Sequence, residues 1–508
     1  MLFNSYAFLL FFLPITLVGW FSLGQRSAKA GLSVMAFASL LFYAVWDWRY
    51  VFLLLGSIAI NFAFGKAIGG AKGQTKKTIL IMSIAINLGV LVYFKYANLF
   101  FELGNKTAAL DLPILHIVLP LGISFFTFTQ IAYLVDIYQG KVNENQFLPY
   151  LLFVTYFPHL IAGPVLHHGQ MMPQFKRTEI FSPNARNVAV GLSIFSMGLA
   201  KKVLIADNLA PIANQMFDTD GAHDFIYSWT GIFAYTFQLY FDFSGYSDMA
   251  IGLSLLFGIR LPVNFYSPYK SLNIADFWRR WHITLSQFLK DYLYVPLGGN
   301  RQGTSRRYIN LMITMLLGGL WHGAGWNFLL WGGIHGALLC VLQLWIAIQK
   351  RFGVRSLPDV LAWSLTFTSV CLAWVLFRAA NLDVAMNIFG AAFGQNGIEV
   401  PSSLRGLYPR LFDALVYQGF RASSLDIPIA KNILLVFGAA FVALMLPNTS
   451  EIFRRYRHAL NSRDFGQLYC LFKIVWSPTF AAAVMTSLVF LLSVLSLSRP
   501  TQFLYFQF

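Results

Sequence analysis

The sequence predicts an all-α protein that crosses a membrane many times. Hydrophobic residues make up 57% of its 508 residues and charged residues only 11%, whereas a soluble domain carries about 25% charged residues. So few charges cannot cover several water-soluble cores, and the bilayer is therefore the main solvent of the chain. About a dozen apolar stretches also approach the roughly 20 residues that a membrane-spanning helix requires. The same proportions exclude disordered, fibrous and disulfide-stapled proteins.

The apolar stretches locate the expected spans. They cover residues 6–23, 31–46, 50–65, 78–98, 114–135, 147–163, 187–205, 226–243, 245–258, 308–322, 327–347, 358–377, 432–447 and 476–497. Several are short, so we expect some of them to be re-entrant or interfacial. The first lacks a basic leader and a small-residue cleavage site, which indicates a retained span. Residues 378–430 have no strong apolar run and are expected to hold amphipathic helices at an interface.

Loop charge predicts the orientation of these spans. The formal net charge is +16, which in a membrane protein reflects Lys and Arg gathered in cytoplasmic loops. The loops after the first and third spans are basic, and the loop between the second and third is nearly neutral and aromatic. The loop after the first span contains Arg26 and Lys29, and the loop after the third contains Lys66, Lys72, Lys76 and Lys77. This alternation predicts an N-terminus on the outer side of the membrane and a cytoplasmic first loop, and no basic soluble domain is present to bind nucleic acid.

Several kinds of chemistry have no motif in this chain. No Walker phosphate loop, dinucleotide-binding GxGxxG, zincin HExxH or hydrolase GxSxG occurs, and each of these reactions depends on its motif. The three cysteines, Cys340, Cys371 and Cys470, lie far apart without metal-like spacing, which is typical of small buried hydrophobes. We therefore expect no bound metal and no bound cofactor.

His322 is the strongest candidate for chemistry. It lies in GGLWHGAGWNFLLWGGIHG, residues 318–336, which contains seven glycines. An ionisable side chain at membrane depth is costly and is a functional candidate by default. Glycines allow helices to approach closely and a chain to bend, so this histidine can face a narrow tunnel. The alternative is a histidine whose hydrogen bonds are satisfied by a neighbouring helix.

His335 follows His322 by 13 residues. On one continuous helix the two rings would point about 220° apart, because each residue turns the helix by about 100°. They converge only if the chain breaks, and Gly323–Gly325 is the plausible place. The alternative for His335 is a packing role.

Residues 259–307 are too polar to span and too aromatic for an ordinary loop. Asn273 is a plausible N-cap for a helix over 274–294. On that helix His282 would share a face with the residues three and four positions earlier, Arg279 and Trp278. Such a face suits an anionic, aromatic ligand such as coenzyme A. The alternative is a basic helix lying at the lipid headgroups.

Two carboxylates lie close to Gly245 in YFDFSGYSDMAIG, residues 240–252. Asp242 and Asp248 need partners if they are buried. The candidates are Lys201, Arg279 and Arg280, or the free amides of a broken helix. The adjacent His167 and His168 diverge on a helix, which disfavours a two-histidine metal site.

Five long blocks of this sequence resemble one known family. They are FPHLIAGPV (157–165), GLAKKVLIADNLA (198–210), YFDFSGYSDMAIG (240–252), FWRRWHITLSQFLKDYLYVPLGGNR (277–301) and the glycine-rich block at 318–336. The chain is similar to membrane-bound O-acyltransferases, in the bacterial branch typified by the alginate O-acetyltransferase membrane subunit. The opening LFNSYAFLLFFLP and the closing FLYFQF are similar too. One departure is His167-His168, where an Arg is expected after Leu166.

The resemblance implies an architecture and a set of site residues. The fold would be a ring of about 11–14 tilted transmembrane or re-entrant helices around a thin central zone with a catalytic tunnel. It would form one domain, 1–508, with N-terminal helices in 1–137, a motif-bearing core in 138–347 and C-terminal helices in 348–508. His322 matches the essential histidine and His282 the second polar catalytic position. The expected substrate-binding residues are Trp278, Arg279, Arg280, Lys290, Trp321, Asn327 and His335, with Asp242 and Asp248 as structural polar residues.

The resemblance also implies an activity. The protein would be an O-acetyltransferase that moves an acetyl group from cytoplasmic acetyl-CoA, a co-substrate, across the bacterial inner membrane. A periplasmic or membrane-anchored partner of the SGNH, serine esterase-like type would then modify an alginate-like or cellulose-like exopolysaccharide. His322 would act as the base that takes the acceptor's proton. Two alternatives stay open: D-alanyl transfer from a carrier protein to teichoic acid, and a polysaccharide transporter or flippase.

Overall fold

The computed structural model describes most of the chain. It covers residues 1–108, 110–142, 146–161, 163–219, 224–400, 405–406, 408–418, 420–422, 429–462, 470–497 and 503–504. Helices and irregular connections make up these ranges, and their strands are one parallel pair of two residues each, β1 (Glu399–Val400) and β2 (Arg421–Ala422). The all-α class is therefore confirmed. The last four residues of the closing FLYFQF, and parts of 378–430, lie outside the described residues.

Twenty-one α-helices follow one another along the described chain. Those before residue 220 are α1 (Leu13–Gly24), α2 (Ala28–Ala44), α3 (Arg49–Gly70), α4 (Gly73–Ala108), α5 (Ile123–Tyr138), α6 (Phe147–Thr155), α7 (Phe157–Leu160), α8 (His168–Phe175), α9 (Ala185–Ala200) and α10 (Asp207–Phe217). Those after it are α11 (Phe225–Leu256), α12 (Ile274–Arg280), α13 (Ile283–Leu289), α14 (Thr304–His322), α15 (Trp326–Phe352), α16 (Asp359–Arg378), α17 (Leu382–Ala392), α18 (Pro409–Tyr417), α19 (Ile429–Met445), α20 (Thr449–Ile452) and α21 (Phe480–Leu495). Wider π-helical turns occur at Phe8–Phe12, Lys201–Ala206 and Lys290–Tyr294, and tighter 3₁₀ turns at Thr178–Phe181 and Pro268–Lys270.

Within the described ranges, six helical segments are long and apolar enough to cross a membrane. They are Phe8–Arg26, Arg49–Gly70, Gly73–Ala108, Ala185–Phe217, Trp326–Phe352 and Asp359–Arg378. Five shorter apolar helices accompany them: Ala28–Ala44, Ile123–Tyr138, Leu382–Ala392, Lys431–Met445 and Phe480–Leu495. Large apolar side chains such as Val360, Leu434 and Phe37 are more than 70% exposed. An apolar outer surface of this extent is compatible with lipid and not with water, so the protein is a multi-pass membrane protein.

The longest buried element is α11, which contacts α9, α10, α16, α17 and α19. The sequence predicts two spans here, 226–243 and 245–258, and that prediction is wrong, because one helix runs through both. The polar block that suggested a break is accommodated inside the protein. Asp242 forms a buried ion pair with Lys202 (2.6 Å), so its charge is compensated without interrupting the helix.

Four glycines bring α9 and α11 into backbone contact. Gly191 and Gly198 on α9 face Gly252 and Gly245 on α11, so both helices use glycines seven residues apart. A Cβ added to Gly198 would lie 2.6 Å from the carbonyl oxygen of Gly245, and the reverse substitution gives 2.7 Å. Small residues at such spacing are the usual means of close packing between membrane helices.

Three ion pairs lie beside the glycine contact. Lys201 Nζ lies 2.6 Å from Asp248, and Lys202 lies 2.8 Å from Asp207 in addition to its contact with Asp242. Lys201 was one expected partner for the two carboxylates. Lys202 was not, and Arg279 and Arg280 pair elsewhere. The assignment depended on which helix packs against α11, which the local sequence does not report.

Candidate active site

Three buried histidines and three tryptophans form a continuous series of ring contacts, which we call the histidine–tryptophan ladder. Its order is His282, Trp321, His322, Trp331, His335 and Trp278, with successive ring centroids 6.1, 4.8, 5.1, 4.8 and 5.2 Å apart. His282 and His335 are fully buried and His322 is 6% exposed. A buried series of alternating imidazoles and indoles concentrates polar nitrogens in an otherwise apolar interior, which is the setting expected of a functional site.

The break between α14 and α15 brings His322 and His335 together. α14 ends at His322, and Gly323 and Gly325 are both extended before α15 begins at Trp326. This is the place where the sequence requires a break if the two rings are to converge. On α15, Trp331 and His335 are four residues apart and share one face. The ring of Trp331 therefore contacts both histidines.

The predicted continuous helix over 274–294 does not form. Asn273 does cap α12, because its side chain accepts a hydrogen bond from the Asp276 N–H (2.9 Å). The helix then ends at Arg280, and His282 adopts a left-handed backbone conformation with φ 42° and ψ 54°. Trp278, Arg279 and His282 consequently do not share a helical face. A left-handed non-glycine residue costs about 1–3 kcal/mol, and such residues concentrate at functional sites.

Asn264 holds His282 in this unusual conformation. Its backbone carbonyl accepts from the Ile283 N–H (3.0 Å). Its side-chain Oδ1 lies 3.2 Å from His282 Nδ1 and accepts from both the N–H (3.2 Å) and the Oγ1–H (2.9 Å) of Thr284. These bonds engage the backbone N–H groups of Ile283 and Thr284, which would otherwise form the hydrogen bonds of a continuing helix. Sequence analysis did not identify Asn264, since the residue lies 18 positions away in an irregular segment.

The same contact determines the tautomer of His282. The backbone N–H of Thr284 can only donate a hydrogen bond, so the Asn264 side-chain atom that it contacts is the amide oxygen, Oδ1. His282 Nδ1 must then carry the proton and donate it to that oxygen. In the neutral ring Nε2 keeps its lone pair, and this nitrogen has no hydrogen-bond partner among the described residues. His282 therefore offers an acceptor to a ligand.

Substituting Asn264 tests this arrangement. We expect Asn264→Leu to lower any activity that depends on His282 by about 10–100-fold, the cost known for metal-bound histidines that lose an orienting partner. Asn264→Asp keeps the acceptor and should retain more activity. Its carboxylate stabilises the protonated imidazole, so the acidic limb of the pH–rate profile should move to higher pH. Equal, pH-independent losses in both variants would contradict the orienting role.

Lys95 and Tyr96 hold the end of the helix that carries His322. Lys95 Nζ donates to the carbonyl oxygens of Trp321 (2.6 Å) and His322 (2.9 Å), and the Tyr96 hydroxyl donates to that of Leu320. The last carbonyls of a helix lack partners within it, and a cation there is also favoured by the helix dipole. Lys95 and Tyr96, on α4, thus fix the position of His322 from more than 220 residues away.

Lys95→Met should loosen this end of α14. The side chain keeps its length but loses its donors, which leaves buried carbonyls unsatisfied at a cost of about 1–3 kcal/mol. We expect a lower melting temperature in detergent and reduced activity. Lys77→Met is the matched control, because Lys77 is exposed on the same helix. Equal melting temperatures for the two variants would contradict the capping role.

Four further predicted binding residues have contacts of their own outside the ladder. Arg280 and Arg279 both pair with Asp276 (2.9 and 3.4 Å), and Arg279 is 70% exposed. Lys290 is exposed. Asn327 is buried and donates to the carbonyl oxygen of Ala379 (2.6 Å), which joins the start of α15 to the end of α16. None of these four side chains belongs to the ladder itself.

His167 and His168 diverge as the sequence predicts. His168 packs against the rings of Tyr133 and Phe153. His167 Nδ1 lies 3.0 Å from the hydroxyl of Tyr292, which donates to Asp136. Burial lowers the pKa of His167. Among the described residues no cluster of three histidine, cysteine or carboxylate side chains has the geometry to hold a metal ion.

Comparison with known proteins gives matches over the whole chain. The sequence model of the membrane-bound O-acyltransferase family matches residues 138–382. A peptidoglycan O-acetyltransferase of Helicobacter pylori is 41% identical, with 100% of this chain and 98% of that protein aligned. A probable alginate O-acetylase, AlgI, of Pseudomonas aeruginosa is 43% identical over 77% of this chain and 75% of its own. A teichoic acid D-alanyltransferase of Streptococcus thermophilus is 27% identical over 52% of this chain and 69% of its own.

Proposed function

The chain belongs to the membrane-bound O-acyltransferase family, and from that premise we propose that it transfers an acetyl group from cytoplasmic acetyl-CoA to an acceptor on the outer face of the bacterial inner membrane. Membership makes it an acyltransferase that acts on hydroxyl groups. The histidine–tryptophan ladder is the observation that carries the finer proposal. In it, tryptophan rings link three buried imidazoles into one continuous series of ring contacts inside a membrane protein.

His322 is the proposed general base. A thioester is already activated, so the reaction chiefly needs a group that removes the proton of the attacking hydroxyl. His322 takes that proton as the oxygen attacks the thioester carbon, and then returns it to the departing thiolate. A neutral imidazole is required for the first step, and burial favours the neutral form. Lys95 holds the backbone carbonyl of this residue, which fixes the point from which the side chain extends.

His282 is proposed to orient the donor. A second polar residue at the site can serve in two ways, by positioning the acyl donor or by polarising its carbonyl. Polarising a carbonyl requires an N–H directed at the oxygen, whereas the Asn264 contact leaves a lone pair on Nε2. This supports the positioning role, in which Nε2 accepts a hydrogen bond from an N–H or O–H group of the acyl donor. Arg279, Arg280 and Lys290 are proposed to attract the anionic donor at the cytoplasmic side.

The acceptor is proposed to be a protein or glycan of the cell envelope. The names of the relatives indicate peptidoglycan and alginate as the polymers that those proteins modify. A periplasmic or membrane-anchored transferase partner would receive the acetyl group first and pass it on. Both substrates would meet at His322 through the tunnel that the family resemblance implies, and their positioning supplies most of the catalysis. The loop charges favour a periplasmic N-terminus.

The test is an acetyl-transfer assay with purified protein in proteoliposomes. Labelled acetyl-CoA is supplied on one side, and candidate periplasmic transferases with alginate, cellulose or peptidoglycan fragments on the other. We expect label in the acceptor only when protein and donor are both present. Label that appears with D-alanyl carrier protein instead, and never with acetyl-CoA, would replace acetyl transfer by D-alanyl transfer. Glycan movement without any label in an acceptor would indicate a transporter.

A further inference from the structure

A hydrogen bond also determines the tautomer of His335, a ladder residue that has no role in the acetyl transfer proposed above. Trp278 Nε1 lies 3.3 Å from His335 Nδ1. An indole N–H only donates, so His335 Nδ1 must accept with its lone pair. In the neutral imidazole the proton then resides on Nε2. His335 thus presents a donor where His282 presents an acceptor.

This donor has nothing to bond within the described protein. His335 is fully buried, and its Nε2 has no hydrogen-bond partner among the described residues. The Nε1–H of Trp331, one turn earlier on the same face of α15, is likewise buried and unpartnered within the described part of the chain. Buried N–H groups without partners are rare in native proteins. The ring of Trp331 contacts that of His322 (5.1 Å between centroids) and that of His335 (4.8 Å), so a ligand bound at His322 is the group that could supply both N–H groups with an acceptor.

A packing role alone does not explain these contacts. The rings of Phe277, Trp278, Trp331 and Trp374 surround His335 at centroid distances of 4.8–6.3 Å. A phenyl ring would fill such a cage without an orphan polar atom. The imidazole is instead held by a specific hydrogen bond, and the choice of atom in that bond leaves the second N–H available.

We infer that His335 is a catalytic residue whose Nε2–H, with the indole N–H of Trp331, stabilises the oxyanion of the acyl-transfer intermediate. The acceptor oxygen bonds to the thioester carbon, and its proton moves to His322. The carbonyl π electrons move onto oxygen, where the two N–H groups bind the negative charge. When the carbonyl re-forms, the carbon–sulfur bond breaks and the proton passes from His322 to the thiolate. The products are an acetyl ester and free coenzyme A, and no other reactant is needed.

The inference rests on the proposed acetyl transfer, and matched variants test it. His335→Phe keeps the ring size but removes the N–H, and it should lower kcat by about 10²–10³-fold, the usual cost of losing one oxyanion donor. His335→Gln can place an amide N–H near the former Nε2 and should recover at least tenfold of that loss. Trp278→Phe leaves His335 intact but frees its tautomer, so it should lower kcat by about tenfold.

Binding must be measured alongside rate. Because an oxyanion donor acts in the transition state, the Kd for an S-ethyl thioether analogue of acetyl-CoA, which lacks the carbonyl, should change less than twofold in all three variants. A His335→Phe protein with kcat within threefold of wild type would overturn the inference. So would a loss of thioether binding as large as the loss of kcat. If His335→Phe fails to fold, the kcat and the thioether Kd of Trp278→Phe and His335→Gln are judged against wild type by the same criteria. A wild-type protein without acetyl transfer refutes the proposed function itself, which is a separate outcome.

Discussion

His322→Ala is expected to abolish acetyl transfer while leaving a folded protein in the membrane. General-base catalysis contributes about 10²–10⁴-fold, and an alanine also removes the ring that separates Trp321 from Trp331 in the ladder. The backbone contact with Lys95 uses the carbonyl of residue 322, which an alanine retains. The end of α14 should therefore stay in place, so the loss should appear in kcat.

The control for this substitution is another histidine of the same chain. His116 is exposed and lies outside the ladder, so His116→Ala should transfer acetyl at the wild-type rate. The measurement is initial rate with labelled acetyl-CoA, with melting temperature in detergent as the check on folding. A folded His322→Ala protein with activity within threefold of wild type would remove His322 from the mechanism.

Gly332→Ala is expected to separate α14 from α15 and to impair both stability and activity. A Cβ at this position would lie far inside contact distance of the Met315 carbonyl oxygen and 3.2 Å from Gly319 Cα. Backbone atoms cannot move aside as a side chain can. Overpacking of this kind costs about 1–3 kcal/mol. Displacing Trp331 and His335 from His322 by even 1 Å can lower the rate by about 10²-fold.

The neighbouring glycine provides a matched control. A Cβ at Gly333 meets only the side chain of Leu316, at 3.6 Å, which is ordinary contact. Gly333→Ala should leave activity unchanged and raise stability slightly, because alanine reduces the conformational freedom of the unfolded chain. Thermal melts and initial rates of the two variants measure the difference. Indistinguishable melts and rates would show that the helix crossing tolerates a methyl group at position 332.

The two ends of the ladder illustrate different limits of sequence reasoning. The break at Gly323–Gly325 was predictable, because helical geometry places His322 and His335 on opposite faces of an unbroken helix. The break at His282 was not. The sequence around it has good helical periodicity, and the interruption arises because Asn264 captures the amides of Ile283 and Thr284.

The partners of the polar residues show the same limit. The position of Asp242 and Asp248 between apolar runs indicates that they need cationic partners, and the sequence offers Lys201 as one candidate. That Lys202 pairs with Asp242 depends on the register of α9 against α11, which four glycines determine. Lys95 is a lone cation in a predicted span, and its partners are backbone carbonyls 226 and 227 residues away. A carbonyl is present at every residue, so it leaves no mark in the sequence.

The amino-acid sequence alone determined that the chain resides in a bilayer, that its surface is apolar and helical, and that His322 lies among glycines that allow the chain to bend. These properties follow from composition and from local periodicity, which act over a few turns of helix. Only the tertiary structure decided which nitrogen of each histidine carries its proton. That choice depends on single hydrogen bonds from Asn264 and Trp278, and such bonds exist only after distant segments have packed together.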